Sequence, residues 1–477
     1  MEPTDFIYLL PLIILAGSPV LLLLIISIYR NHRLTFSACA LSMILFLVSA
    51  IYTWAGLPGP HHIGELLIID SFTLFYFALI GGTGLLLILI SYPYISQQSV
   101  VREEYYVLLQ TSVFGAAVLV ASDHFASLFL GLEILSVSLY AIIAYVKTRF
   151  KSVEGGLKYL ILAAASSAFL LFGMALIYTD TGTLSFPELN IGFREGGFLS
   201  TAGLAMMLVG IGFKLALVPF HAWTPDIYEG APTPVSALIA TISKGSVIAL
   251  LLRFLHTTGG MEIEWLAWAL SLIAIASMLI GNILALLQDN LKRLLAYSGI
   301  AHLGYVMIAI LAGNHITVEA VTFYLVAYFI SVLGVFGTLS LFSSAEGDIE
   351  RIEDLQGIFW TRPALSILFS AMFFSLVGIP LTAGFIGKYY VVWAAVSEGL
   401  WLLAGVLVVG SVIGLYYYLR VIKTMLSPVG EKSPRILTGR PSVMGVAVLA
   451  VLGILLIWLG VYPTDVIYLI KSVSIGF

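Results

Sequence analysis

The sequence predicts an all-α integral membrane protein of about fourteen transmembrane helices. Three observations lead to this fold class. Hydrophobic residues make up 60% of the 477-residue chain and charged residues only 10%, against about 25% charged residues in soluble domains. Apolar runs of about 20 residues, the length that crosses a bilayer, recur along the chain. Lys and Arg collect in alternate connections between these runs, as cytoplasmic loops do.

The apolar runs are continuous, whereas a transmembrane β-barrel would show alternation of apolar and polar residues. The first Lys or Arg is Arg30, so the N-terminus lacks the basic region of a cleavable signal peptide and the first run is expected to be a retained span. The predicted spans are 6–29, 35–55, 71–94, 104–121, 124–146, 156–178, 199–219, 233–256, 265–287, 294–313, 318–342, 364–395, 401–422 and 441–470.

The basic residues give an orientation to these spans. If the N-terminus lies outside, the outward connections hold three basic residues, Arg194, Arg253 and Lys471. A missing or extra span would remove this unequal distribution of Lys and Arg between the two sides. The distribution therefore supports the set of fourteen spans and predicts that both termini lie on the outer side. The inward connections hold fifteen: Arg30, Arg33, Arg102, Lys147, Arg149, Lys151, Lys292, Arg293, Arg351, Arg362, Arg420, Lys423, Lys432, Arg435 and Arg440.

Composition also argues against several functions. The net charge is −4, and the absence of a basic block argues against a nucleic-acid partner. Cys39 is the single cysteine, so the chain cannot form an internal disulfide, a thiolate metal site or a cysteine-bound iron–sulfur cluster.

Charged residues inside the spans are the strongest functional signal. A charge near the bilayer centre is costly, so such residues usually face a protein or water interior. Glu133 follows Asp123 by ten residues, which places it about 15 Å deep. The functional interpretation is that Glu133 and the lysines within spans are titratable proton sites. The structural alternative is that Glu133 ties two helices together and that the lysines extend their ammonium groups to the membrane surface. Lys158 lies close to the start of its span and fits either interpretation. The four lysines within spans are Lys158, Lys214, Lys244 and Lys388.

Two of these lysines lie beside predicted breaks in the seventh and twelfth helices. Pro219 follows Lys214, and a proline cannot donate to the helix ladder and disfavours helix in the residue before it. Lys388 is the only charge in the apolar stretch 363–397, which Gly378 and Pro380 interrupt. Carbonyl groups freed at such breaks can face a polar cavity.

His302 lies in the middle of the tenth span. An imidazole titrates near neutral pH, which suits it to pass a proton between lysines. A hydrogen-bonded core histidine is the structural alternative. His221, Asp226 and Glu229 follow the seventh span, where they are either solvated loop residues or lie at the mouth of a cavity.

Spans four to eight and nine to thirteen form two sets of five within a single membrane domain, 1–477. An odd number of spans per set makes any repeat inverted. The predicted organisation is three N-terminal helices (1–95), a first five-helix repeat (104–258), a second, inverted repeat (263–424) and a C-terminal helix (441–470). The third spans of the two sets share Glu, Tyr and Ser at equal spacing: Glu154, Tyr159, Ser166 and Glu319, Tyr324, Ser331.

Several segments resemble the signature of the antiporter-like membrane subunits of complex I, the NADH:quinone oxidoreductase. The most specific is the block from Gly212-Phe213-Lys214 through Pro219-Phe220-His221, Trp223-Thr224-Pro225-Asp226 and Glu229-Gly230-Ala231-Pro232 to Lys244. The resemblance covers nearly the whole chain. Within the family, Lys388 on the twelfth helix and the short sequence after the last span resemble the subunit N type. Further matching segments are Phe129-Leu130-Gly131-Leu132-Glu133-Ile134, Leu291-Lys292-Arg293-Leu294-Leu295-Ala296-Tyr297-Ser298 and Gly384-Phe385-Ile386-Gly387-Lys388.

The resemblance implies a subunit that couples quinone reduction to proton pumping. Glu133 would pair with Lys214, and protons would pass through Lys244 and His302 to Lys388. Burial lowers the pKa of a lysine and a nearby carboxylate raises it, so motion of Glu133 would load or release a proton.

No site for NADH, flavin or an iron–sulfur cluster is recognisable in the sequence. We therefore expect NADH, FMN, iron–sulfur clusters and quinone in partner subunits. The expected partners are other antiporter-like and small membrane subunits of complex I, membrane lipid and, indirectly, the peripheral redox arm. The expected location is the bacterial inner membrane.

Two other functions use the same residues differently. A subunit of a multi-subunit cation/proton antiporter would share the scaffold but have no redox partner. A structural membrane anchor would gain nothing from the cost of four lysines and Glu133 within the membrane.

Overall fold

The computed structural model describes residues 5–57, 59–98, 100–195, 197–343, 347–428 and 442–474, without the side chains of 191, 192, 194, 195 and 474. Lys432, Arg435 and Arg440, and the side chain of Arg194, therefore lie outside the described residues. The α-helices are α1 (Asp5–Ile28), α2 (His32–Ala55), α3 (Ser71–Gln97), α4 (Glu104–Val120), α5 (Phe125–Ile143), α6 (Phe150–Thr181), α7 (Phe186–Glu195), α8 (Phe198–Leu215), α9 (Trp223–Gly230), α10 (Thr233–Leu238), α11 (Lys244–Thr257), α12 (Glu264–Leu286), α13 (Leu291–Ala312), α14 (Thr317–Phe342), α15 (Ile358–Thr361), α16 (Pro363–Val377), α17 (Ala383–Ser397), α18 (Trp401–Leu426), α19 (Val443–Val461) and α20 (Thr464–Ser474).

Within these ranges, twelve helical stretches are long and apolar enough to cross a membrane. Helices are the expected result, because a spanning segment must satisfy its backbone hydrogen bonds internally. Thr233–Thr257 counts as one such stretch, formed by α10, a π-helical turn (Ile239–Ser243) and α11. The two other predicted spans, 104–121 and 364–395, fall on the shorter α4 and on the interrupted pair α16 and α17. The exact count of fourteen stays a prediction.

The C-terminal prediction differs from the structure in one respect. The single helix expected over 441–470 is divided, with α19 ending at Val461 and α20 beginning at Thr464. Pro463 lies between them, and a proline both lacks a backbone donor and disfavours helix before it. A β-hairpin, β1 (His61–Ile63) with β2 (Leu67–Ile69), is a further element that the apolar pattern did not indicate.

Helix ends meet on two opposite faces. The hairpin face holds the β-hairpin, which bridges to Ser122, and the connection at Ser185, which bridges to His124. On the basic face Arg30 bonds Glu104, and Asn290 bridges to Arg351. The connections of the basic face are 29–31, 100–103, 144–149, 287–290 and 347–357; those of the hairpin face are 59–70, 121–124, 182–185 and 258–263.

Close packing within the first helix set depends on glycine. A Cβ on Gly173 of α6 would lie 2.5 Å from the carbonyl oxygen of Gly203, and a Cβ on Gly203 of α8 would lie 2.6 Å from that of Gly173. Small residues let membrane helices approach this closely. The backbone of α8, and with it Lys214, is thereby held against α6.

The most buried helices occupy the centre of the molecule. The 18-residue apolar window of Thr233–Thr257 is entirely buried, and α13 and α14 are nearly so. By contrast, α1, α2 and α6 expose many large apolar side chains, as expected for surfaces that face lipid or other membrane subunits. Lys244 and His302 lie on the central helices, so the expensive charges are also the best shielded.

One basic residue counted on the outward side is buried near the end of a helix. Arg253 lies in α11, within the predicted span 233–256, with its side chain 3% exposed, and it donates two hydrogen bonds of 2.9 Å to the Asp70 carboxylate. Its guanidinium also lies 4.9 Å from the Phe72 ring centre. The sequence did not indicate the burial of Arg253, because its neutralising partner is distant in sequence.

Candidate functional site

Glu133 lies partly buried on α5, where the sequence predicted a mid-membrane acid. Its Oε1 accepts a hydrogen bond of 2.5 Å from the Ser167 hydroxyl of α6. The charge is therefore anchored between two helices and retains lone pairs for a further donor.

Lys214 lies at the end of α8, next to the predicted helix break. The helix ends at Leu215, and Ala216 has a φ of 58°, a left-handed conformation that is unfavourable for a residue with a Cβ. The Lys214 ammonium is buried and donates to the Ser136 hydroxyl at 2.5 Å and to the Tyr159 hydroxyl at 3.5 Å. The carbonyl oxygen of Phe213 accepts from the Trp223 indole at 3.0 Å, which closes the break with a side-chain donor.

Glu133 and Lys214 are neighbours without a direct bond between them. Both side chains are described, and neither an ion pair within 4.0 Å nor a hydrogen bond joins them, although the two charges interact electrostatically. Ser136 separates them: it lies one turn after Glu133 on α5, accepts from Lys214 and donates to the Leu132 carbonyl at 2.5 Å. Residues three apart on a helix share a face, so a change of rotamer could move Lys214 from Ser136 to Glu133.

Lys244 follows the π-helical turn and lies at the centre of the molecule. Its side chain is 1% exposed, and its ammonium has no hydrogen-bond partner among the described residues. The nitrogen lies 5.4 Å from the Tyr228 ring centre, and a cation is attracted to such a ring face. A Cβ on Gly299 would come within 3.8 Å of this nitrogen and 3.2 Å of the Tyr328 hydroxyl, so the glycine leaves both groups in adjoining space.

His302 is held by two tyrosines in the core. Its Nδ1 shares a hydrogen bond of 2.6 Å with the Tyr324 hydroxyl, and its Nε2 lies 3.5 Å from the Tyr418 hydroxyl. Tyr418 in turn bonds the Ser298 hydroxyl. Both ring nitrogens therefore have a hydroxyl partner that can give or take a hydrogen bond, which satisfies a core histidine and also suits a proton relay.

Lys388 lies on α17, beside the interruption between α16 and α17. Helix α16 ends at Val377, Gly378 has a φ of 87°, and α17 begins at Ala383. The Lys388 ammonium donates to the Val377 carbonyl at 2.8 Å and to the Ser411 hydroxyl at 3.0 Å. A carbonyl freed by the break thus becomes a ligand of the lysine. A Cβ on Gly378 would lie 2.9 Å from Lys388 Cδ, so glycine also makes room for the side chain.

A small cavity of about 10 Å³, room for about one water molecule, lies between His302 and Lys388. His302, Tyr328 and Lys388 all line it. Tyr328 also adjoins Lys244, as described above, so this tyrosine lies between the central lysine and the cavity shared by His302 and Lys388. The remaining lining residues are Tyr324, Ala327, Ser331, Ser375, Leu376 and Gly384.

Lys158 is not brought together with the other five predicted site residues. Its ammonium pairs with Glu154 and Asp226, each at 2.7 Å, and its side chain is 43% exposed on the basic face. Arg293 bonds Asp226 at 2.6 Å and Glu229 at 3.0 Å. These two acids, which follow the seventh span, therefore belong to an ion-pair cluster and not to a solvated loop.

A buried acid on the basic face was missed by sequence reasoning. Asp348 accepts hydrogen bonds from Lys292 at 2.6 Å, Tyr94 at 2.9 Å and Thr233 at 3.1 Å, and pairs with Arg149 at 3.1 Å. Burial by itself raises the pKa of this carboxyl, but Lys292 and Arg149 outweigh it and lower the pKa to about 2. We call these five residues the Asp348 clamp; no local pattern could have signalled it, because its members come from five separate segments.

Comparison with known proteins places these features in a family. Residues 122–414, which include all six predicted site residues, match the family described as "NADH:quinone oxidoreductase/Mrp antiporter, TM". The chain belongs to this family. The match extends from the start of the Glu133 helix into α18, just before the Tyr416-Tyr417-Tyr418 segment, and omits α1 to α4.

Three relatives define the position within the family. The chain is 43% identical to NADH-quinone oxidoreductase subunit N of Ectopseudomonas mendocina (strain ymp), over 98% of this chain and 96% of the relative. It is 33% identical to a chain in the structure of respiratory complex I from Thermus thermophilus with bound aureothin, with a TM-score of 0.81 and coverage of 96% and 98%. A chain of the Mrp complex from Dietzia sp. DQ12-45-1b has a TM-score of 0.88 at 19% identity, covering 97% and 96%, which shows a shared fold alone.

Proposed function

We propose that this chain is a proton-translocating membrane subunit of an NADH:quinone oxidoreductase, in which Glu133, Lys214, Lys244, His302 and Lys388 carry the protons. One observation supports this most strongly. The three lysines are buried, and none of them forms an ion pair with a carboxylate among the described residues. Burying an unpaired ammonium is costly, and such a residue within a membrane is by default a functional one.

The Glu133–Lys214 pair is the proposed switch at one end. In the present arrangement Lys214 donates to Ser136 and Glu133 accepts from Ser167. Rotation of Lys214 toward Glu133 would form an ion pair and favour the protonated lysine, whereas separation would favour loss of its proton. Because the two groups interact, the pair should titrate as a coupled unit and not as two separate residues.

Lys244, His302 and Lys388 provide the rest of the proposed path. A proton leaving Lys214 would reach Lys244, then His302 by way of the space beside Tyr328, and finally Lys388. Tyr324 and Tyr418 hold the imidazole at both nitrogens, so it can accept on one side while it donates on the other. Lys158 is assigned to the ion-pair cluster of the basic face and not to this path.

The inverted repeat is part of the proposal, and matching contacts support it. Tyr159 of the first set contacts Lys214, and Tyr324 of the second set lines the same small cavity as Lys388. Ser166 bonds the Gly210 carbonyl of α8, and Ser331 bonds the Ser375 hydroxyl of α16, the first halves of the two broken helices. In the described chain the two non-glycine residues with positive φ, Ala216 and Leu381, also lie at these two breaks.

The antiporter alternative is less well supported. The structural likeness to the Mrp complex rests on the shared fold at 19% identity, whereas the complex I relatives reach 33% and 43%. We infer partner membrane subunits in a bacterial inner membrane, with both termini on the outer side. The redox cofactors NADH, FMN, iron–sulfur clusters and quinone are assigned to other subunits.

Substitution of Lys388 tests the conducting role. Arginine keeps the charge but does not deprotonate, since a guanidinium stays protonated at any relevant pH. In vesicles containing the whole complex, we expect Lys388→Arg to lose proton pumping almost as fully as Lys388→Ala. Lys423→Arg and Lys423→Ala, at an exposed lysine of α18, serve as controls and should pump normally.

The outcome separates conduction from charge balance. If Lys388 only supplies a positive charge and a hydrogen bond to the freed Val377 carbonyl, the Lys388→Arg variant should retain most of the activity and the Lys388→Ala variant should not. That result, in a complex that assembles normally, would exclude proton release from Lys388.

A further inference from the structure

A basic cleft on the basic face lies apart from the proposed proton path. It is an open cleft of about 500 Å³ between the turn that joins α1 and α2, the end of α3 and the start of α4. Its lining is mainly polar and includes three arginines: Arg30, Asn31, His32, Arg33, Tyr92, Ser96, Arg102 and Glu103. None of the residues assigned to the proton path lines it.

The cleft carries positive charge that the protein does not neutralise. Three arginines line it, and Glu103 is the one carboxylate among the lining residues. Arg30 is partly compensated, because it bonds Glu104 at 2.6 Å. The side chains of Arg33 and Arg102 are exposed and have no carboxylate partner within the described residues. Two guanidinium groups are therefore available for an anion from outside the chain.

The floor of the cleft is fixed in shape. The His32 ring stacks on Tyr92 with a centroid distance of 4.6 Å, and its Nε2 shares a hydrogen bond of 2.8 Å with the Tyr106 hydroxyl. The Asn31 side chain accepts from the amides of Arg33 and Leu34 and so caps α2. The arginines thus project from a rigid base.

Apolar side chains flank this charged region. Ile28 is 85% exposed, Tyr29 60%, Val101 54% and Leu34 44%. A free phosphate would need only the arginines, whereas a phospholipid would place its phosphate among them and its acyl chains against this apolar rim. Basic pockets at the cytoplasmic surface between transmembrane helices are the kind of site that binds anionic lipid head groups.

We propose that the cleft binds the phosphate of an anionic phospholipid, with Arg33 and Arg102 as its main ligands. Guanidinium groups recognise phosphate oxygens through paired N–H donors, which makes arginine better suited than lysine to this role. Lipid at this position would cover the surface between the three N-terminal helices and α4. The proposal does not depend on the proton path.

A photoreactive lipid tests the site in the intact complex. Purified complex in mild detergent is mixed with phosphatidylglycerol that carries a diazirine on an acyl chain, illuminated and digested. We expect labelled peptides from 28–34, with labelling displaced by excess phosphatidylglycerol but not by phosphatidylcholine. In the Arg33→Gln/Arg102→Gln variant, the phosphatidylglycerol needed for half-maximal labelling should rise about tenfold or more.

The controls separate lipid from other anions and from loss of structure. Lys147→Gln/Lys423→Gln removes two exposed charges of the same face and should label like the unmodified complex. Unchanged quinone reduction in both variants shows that the complex is intact. Equal labelling by a phosphatidylcholine probe, displacement by inorganic phosphate, or unchanged labelling of the Arg33→Gln/Arg102→Gln variant would each overturn the phospholipid assignment.

Discussion

Replacement of Asp348 by asparagine should destabilise the chain by about 3 kcal/mol, because it removes the only negative charge of the Asp348 clamp. Asparagine keeps the size of the side chain and much of its hydrogen-bonding capacity. It leaves Lys292, whose side chain is 2% exposed, buried beside Arg149 without an anion.

Two routes give this magnitude. The pKa of Asp348 is lowered from 3.8 to about 2. A tenfold change in a protonation equilibrium corresponds to about 1.4 kcal/mol, so the charged form gains roughly 2.5 kcal/mol on folding. Removing one partner of a buried ion pair costs roughly 3–5 kcal/mol, since the other charge remains buried. The two routes agree near 3 kcal/mol.

The lowered pKa also predicts a pH dependence. Because the folded-state pKa lies below the unfolded-state value, the stabilisation is fully present above about pH 4 and is lost as the pH falls toward 2. The Asp348→Asn variant lacks this contribution at every pH. Its stability should therefore approach that of the unmodified chain as the pH falls from 4 toward 2, where the unmodified chain also loses the charge.

Thermal unfolding of the purified complex measures the effect. A loss of 3 kcal/mol corresponds to a decrease of roughly 3 °C in the unfolding midpoint of a chain of this size. Glu353→Gln, at an exposed acid of the same connection, is the matched control and should change the midpoint little. Asp348→Asn/Lys292→Gln should recover part of the loss, since it removes the stranded charge.

Either of two results would refute this reasoning. One is a midpoint for Asp348→Asn that matches the Glu353→Gln control at pH 7. The other is a double variant that is less stable than Asp348→Asn by the full cost of a second independent lesion, which would mean that Lys292 and Asp348 are not energetically coupled.

Two further predictions concern the proposed switch and the orientation of the chain. Ser136→Ala removes the hydroxyl that accepts from Lys214, so proton pumping and quinone reduction should fall together; Ser138→Ala, which removes a hydroxyl bonded only to its own helix, should leave both rates near normal. In intact cells, an impermeant thiol reagent should label a cysteine at the exposed Glu65 of the hairpin face but not one at the exposed Lys147 of the basic face, in a background with Cys39→Ala; the reverse pattern would invert the map.

The sequence predicted the positions of the buried charges well, because each depends on a local pattern. An apolar run defines a span, a charge within it stands out, and Gly378 or Pro219 marks a break nearby. The partners of those charges were not predictable in this way. The Val377 carbonyl and Ser136 bond their lysines only because separate helices pack together, and neither residue has a distinctive sequence context.

Paired charges near the faces escaped prediction for the same reason. Arg253 and Asp70 are 183 residues apart, and Lys292 and Asp348 are 56 apart. Counting basic residues in connections treats Arg253 and Lys292 as solvated, although both are almost completely buried. The two-face pattern survives this error, since each still lies near a helix end.

The distribution of partners divides the buried cations into two kinds with different uses. Arg253 and Lys292 each contact a buried carboxylate within 3 Å, so losing a proton would strand that anion in a low-dielectric site, and both cations are suited to a structural role. Lys214, Lys244 and Lys388 contact hydroxyls, a carbonyl or an aromatic ring instead. Such neighbours tolerate both the charged and the neutral amine, because hydroxyls can reverse their donor role and a ring makes no demand for charge. A residue that must alternate between two protonation states needs surroundings of this second kind, and they occur here at the two helix breaks and at the π-helical turn between them.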